Sequence, residues 1–65
     1  MKRAKLEKVL RQHGCRVGRE GSKHTVWVNP ATGQRTSVPR HTEIKRGTAA
    51  GILESLSIDP DLATH

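Results

Sequence analysis

Apolar and polar positions change period along the chain, and each change marks an element. Leu6, Val9, Leu10 and His13 recur at i, i+3, i+4 and i+7, which is one face of a helix. Gly14 follows directly, where a left-handed residue commonly ends a helix. A helix over about residues 3–13 is predicted, with Lys5, Lys8 and Arg11 on its other face and Glu7–Arg11 as an i,i+4 pair. From Cys15 to Arg19 the period drops to two, a short strand, and Gly21-Ser22 supplies a turn. His24 to Asn29 is the strongest strand signal, β-branched or aromatic at every position from 25 to 28. Asn29-Pro30-Ala31-Thr32-Gly33 reads as a turn, and Gln34 to Val38 as a third strand ended by Pro39. After a polar stretch, Ala49, Ile52, Leu53 and Leu56 restore the helical period. Gly51 weakens that helix by about 1 kcal/mol relative to Ala. Asp59-Pro60 ends it or opens one short further turn.

The order α-β-β-β-α places two amphipathic helices on one face of a three-stranded antiparallel sheet and leaves the other face open. This α+β layout is that of the double-stranded-RNA-binding domain, and fold alone does not assign function. One domain over residues 1–65 is expected, with its core at about 3–58 and a short acidic tail at 59–65. Trp27 shares parity with Thr25 and Asn29, and Val26 shares it with Val28. Trp27 therefore lies either on the open face, able to stack on a base or anchor a partner, or in the core as its largest residue.

Composition narrows the function. Leu, Ile and Val together make 13 of 65 residues, with one Trp and no Phe or Tyr, so the core is thin and aliphatic. A chain of this size has no room for a dedicated cofactor domain. The single cysteine excludes an internal disulfide, and no Cys/His cluster has zinc-finger spacing. Cys15, after a helix cap and with nothing activating beside it, reads as buried filler. The longest apolar run, Val26-Trp27-Val28, is far too short to span a membrane, and no signal-peptide core is present, so a reducing cytoplasm is expected.

The net charge is +6, and all twelve Lys/Arg lie within residues 1–46, opposed there only by Glu7, Glu20 and Glu43. Residues 47–65 carry only acidic charge, and their tail is expected to face elsewhere. An anionic partner, most commonly nucleic acid, suits such a field.

Chemistry concentrates at one end of the predicted sheet. Pairing the second and third strands across the 29–34 turn sets residues opposite when their numbers sum to about 63, so His24 faces Pro39. His41 then lies about two residues further on, roughly 7 Å, and two histidines converge at one edge. Histidine titrates nearest neutral pH and suits proton transfer to and from the 2′- and 5′-oxygens of RNA. Lys23, Arg19 and Arg40 are candidates for holding the phosphate charge. Lys45-Arg46 leads into the second helix, whose free N–H groups attract phosphate. Gly18-Arg19-Glu20-Gly21 matches the G-x-x-G loop of KH domains, but that loop joins two helices and this run joins two strands.

The run Gly14-Cys15-Arg16-Val17, then Arg19, then Gly21-Ser22-Lys23-His24, resembles the corresponding run of the HicA toxins. Val38-Pro39-Arg40-His41 is similar to the Val-Pro-x-His element that follows in that family, and Lys45-Arg46-Gly47-Thr48 with Ile52-Leu53 to its second helix start. Together these cover about residues 3–58. Where HicA toxins often carry an aromatic residue and a second histidine, this chain has Cys15 and Lys23.

The resemblance implies a metal-independent endoribonuclease of double-stranded-RNA-binding-like fold. Such a toxin cleaves mRNA, arrests translation and growth, and is silenced by a HicB-type antitoxin. It implies His24 as the essential histidine, His41 as a second histidine of less settled role, and no metal or other cofactor. Gly21 and Ser22 would position the His24 turn. Two other readings follow from the residues alone: a non-catalytic RNA-binding module on the same fold, and an interaction protein whose basic surface docks on an acidic partner.

Overall fold

The computed structural model describes residues 1–64; His65, the end of the acidic tail, lies outside the described residues. Its elements run α1 (Arg3–Gln12), β1 (Arg16–Glu20), β2 (His24–Asn29), β3 (Gln34–Pro39) and α2 (Arg46–Ser55), closed by a 3-10 turn over Pro60–Thr64. The three strands form one antiparallel sheet in the order β1-β2-β3. The expected α+β arrangement is the one observed.

Both helices end in the same way. At the end of α1, the Gly14 N–H donates to the Arg11 carbonyl and the Cys15 N–H to the Leu10 carbonyl, with Gly14 at φ +82°. At the end of α2, Ser57 donates to Glu54 and Ile58 to Leu53, with Ser57 at φ +59°. These paired bonds satisfy carbonyls that the helix leaves open. In each case they also fold an apolar residue, Cys15 or Ile58, back onto a buried leucine. The second helix therefore stops at Ser55, and the Asp59-Pro60 signal read from the sequence opens the short 3-10 turn that follows.

The core settles the position of Trp27. Thr25, Trp27 and Asn29 are buried while Val26 and Val28 are only half-buried, so the tryptophan side of β2 faces the helices. Trp27 is fully enclosed in one cluster with Leu6 and Leu10 of α1, Val38 of β3 and Ala49, Ile52 and Leu53 of α2. With no Phe or Tyr, one indole supplies the volume that several aromatics would otherwise provide. The Arg11 guanidinium carbon lies 5.1 Å from the ring centroid, a cation–π distance that also covers the ring from solvent.

Residues near the two ends join this frame in ways that periodicity does not encode. Lys2 forms a β-bridge with Glu43; the Arg3 N–H donates to the Thr42 carbonyl at 2.9 Å, and the Ile44 N–H to the Met1 carbonyl at 2.8 Å. This short ladder ties the segment after β3 to the start of α1 and helps bury Ile44. At the other end, Ala63 is buried and Leu62 packs against the core, so residues 60–64 cover α2 instead of projecting as a tail.

Candidate active site

β2 and β3 pair with His24 opposite Pro39 and Asn29 opposite Gln34, the register expected from the turn. Residues opposite one another share a face of the sheet. His24, Val26 and Val28 therefore lie with Pro39, Ser37 and Arg35 on the face that no helix covers.

The turn before His24 is tight. The Gly21 N–H donates to the His24 carbonyl at 2.8 Å, which closes the β1–β2 hairpin around Ser22 and Lys23. A Cβ at position 21 would stand 3.1 Å from that same carbonyl oxygen, so the close approach is open to glycine and strained for any other residue. Gly21, Ser22, Lys23 and His24 line one open depression of about 360 Å³, together with Arg19 and Val26. Every residue at its wall is exposed except Val26. Two cations and an imidazole thus share a solvent-open hollow that no carboxylate lines.

The other sequence candidates lie elsewhere. His41 is at the same end of the sheet but opens into a different depression, with Pro39, Glu43, Ile44, Lys45 and Thr48. The convergence expected for the two histidines thus extends to the end of the sheet and not to one hollow. Arg40 lies in neither. It faces a third depression on the helix side, shared with Arg3, Glu7, Arg11, Val17, Glu20 and Thr25. The cause is strand alternation: Pro39 takes the His24 side, so the next residue turns away, while its N–H still bonds the Lys23 carbonyl at 3.3 Å. Lys45 is the N-cap residue of α2 and Arg46 its first residue, and no side chain caps that terminus.

Arg19 reaches the His24 side only because β1 is irregular. Arg16 pairs with Val28 and Val17 with Trp27, but Arg19 pairs with Val26 and Glu20 with Thr25. One extra residue, Gly18, is accommodated between them. Sequence reasoning treated this strand as regular, and the glycine within a strand pattern was the available signal for a bulge.

A family model described as the HicA toxin of bacterial toxin–antitoxin matches residues 3–58, nearly the whole chain. The chain belongs to the HicA toxin family. Neither a curated protein nor a solved structure matches it. As a HicA toxin it has an antitoxin as its general counterpart. No group of three or more metal-ligating side chains occurs among the described residues, and none of their helices is long and apolar enough to cross a membrane. Cys15 is buried, and burial pushes its thiol above the ordinary value, so this HicA chain places no activated thiol beside the His24 depression.

Proposed function

We propose that this HicA chain is a histidine-dependent endoribonuclease that cleaves mRNA, with His24 as its proton-transfer residue. The observation that carries the reading is His24 at the wall of an open hollow with Arg19 and Lys23 and no carboxylate. RNA supplies its own nucleophile. Removal of the 2′-hydroxyl proton lets that oxygen attack the adjacent phosphorus. The bond from phosphorus to the 5′-oxygen then breaks, and the departing oxygen takes up a proton. An imidazole serves either transfer, and cations nearby stabilise the extra charge on the phosphorane.

Arg19 and Lys23 are placed to hold the reacting phosphate. Arg40, Lys45 and Arg46, outside the hollow, would hold flanking phosphates, and His41 is a second candidate for proton transfer from its neighbouring depression. No metal or other cofactor enters this chemistry. Cleaving mRNA would arrest translation and growth in the cytoplasm, and a HicB-type antitoxin covering the hollow would prevent it. Its openness supports both events, because a long polymer or a protein surface can enter where a closed pocket would admit neither.

The test is cleavage of a defined RNA by purified chain with chelator present, beside His24→Ala. Loss of cleavage with RNA binding retained is the expected result. Equal cleavage by both chains overturns the assignment of His24. Binding without cleavage by either chain favours the non-catalytic RNA-binding module.

A further inference from the structure

The bulge at Gly18 determines which charge enters the His24 hollow. In β1, Arg16 shares the open face with Val28, and Val17 shares the helix face with Trp27. Strict alternation from there would send Arg19 to the helix face and bring Glu20 to the open face beside His24. The register shift between Val17 and Arg19 reverses both: Arg19 pairs with Val26 on the open face, and Glu20 with Thr25 on the other. The depressions agree with the pairing. Arg19 lines the hollow of His24, while Glu20 lines the opposite one with Arg40. A cation stands where an unbroken strand of this sequence would put a carboxylate.

The bulge in turn depends on a missing side chain. A Cβ at position 18 would come within 2.6 Å of Val28 Cγ2, a separation that real atoms do not hold. Val28 is β-branched and paired on both sides, with Arg16 and Arg35, so it has little freedom to retreat. The restriction is a close approach between strands, since Gly18 is not among the residues of positive φ.

We infer that Gly18 is a positioning residue: its side-chain-free bulge selects Arg19 over Glu20 as the charged neighbour of His24 and so sets the affinity of the hollow for RNA phosphate. The inference rests on the reading of the hollow as an RNA site. Its test uses binding alone, in chains that carry His24→Ala so that RNA stays whole.

In that background, Gly18→Ala should weaken binding of a short RNA about tenfold. Glu20→Gln should change binding less than twofold when position 18 is glycine, because the carboxylate faces away, and should recover at least threefold when it is alanine. A purely structural role for Gly18 would give Glu20→Gln the same factor in both backgrounds, and that result overturns the inference, as does binding by Gly18→Ala within twofold of its parent. If Gly18→Ala does not fold, RNA titration of the His24→Ala chain followed by NMR decides. The Arg19 Nε–H resonance must move, and a stationary one overturns the inference. A chain that binds no RNA at all overturns the reading of the hollow itself, an outcome distinct from these.

Discussion

The Asn29 side chain bridges the end of β2 and the end of α2: its Nδ2 donates to the Leu56 carbonyl at 2.8 Å, and its Oδ1 accepts the Ala31 N–H at 3.1 Å. One buried amide thus shapes the β2–β3 turn and satisfies an open helix carbonyl. Removing it strands a buried acceptor at a cost of about 1–3 kcal/mol. Asn29→Ala should therefore lower Tm by roughly 4–8 °C for each kcal/mol lost in a domain of this size. Asn29→Asp should be worse at neutral pH, because a carboxylate cannot donate to Leu56, and should recover toward acid as the group becomes a donor. Melting curves of the two variants across pH check both statements.

Ser57 holds φ +59° at the end of α2, where Gly14 does the same task for α1 at φ +82°. A residue with a Cβ pays about 1 kcal/mol or more in this region, and glycine does not. The Ser57 Oγ donates to Gln34 Oε1, but that bond is exposed and contributes little. Ser57→Gly should raise stability by about 0.5–1 kcal/mol, read as a higher denaturation midpoint with unchanged slope.

Cys15 links stability to alkaline pH. Burial pushes its thiol pKa above the ordinary thiol value. A group whose pKa is raised on folding contributes fully below its unfolded value and loses that contribution as pH rises through the folded one. Stability should thus fall from about pH 9 upward, as the unfolded thiol ionises first. Cys15→Ala should flatten the fall, although the remaining alkaline titrations give it a baseline slope. Denaturant midpoints at pH 8 and pH 10 for the two chains measure the difference.

Gly21 couples the turn to His24. Alanine there would press its Cβ against the His24 carbonyl from 3.1 Å, and the Gly21 N–H is bonded to the same oxygen. The backbone beneath His24 has to shift by a few tenths of an ångström. Misplacement on this scale costs catalysis before it costs the fold, since about 1 Å is worth roughly a hundredfold. Gly21→Ala should stay folded and lose about tenfold in RNA cleavage, mainly in kcat. A loss confined to KM would contradict this account.

Much of the fold was legible because periodicity reports which side of an element is buried. Leu6 and Leu10 and the α2 stripe follow from that one physical fact, and the β2–β3 register follows from the 29–34 turn. Trp27 was undecidable from parity alone, because Val26 and Val28 are equally apolar and only the packed helices distinguish the two sides. Within the candidate site, His24, Lys23 and Arg19 were legible as neighbours near a turn. The bulge that turns Arg19 toward His24 was not, because the one-residue register shift rests on a close approach between Gly18 and Val28 that only the packed strands reveal. Arg40 was assigned by proximity in sequence, and alternation along β3 carried it to the opposite face.

That alternation bears on the two histidines. His24 and His41 lie at one end of the sheet, yet His24 lines the hollow with Arg19 and Lys23 while His41 lines another with Glu43 and Lys45. A phosphate held in the first hollow is in reach of His24, and proton transfer by one well-placed group contributes about 10²–10⁴-fold. His24→Ala should therefore remove cleavage by at least a hundredfold. His41→Ala, acting from the neighbouring depression, should lower it no more than about tenfold unless bound RNA draws the two together. Single-turnover cleavage at saturating RNA separates these outcomes, because it reads the chemical step without binding or release. Equal losses for the two variants would mean that RNA closes the distance between the hollows and that both imidazoles transfer protons.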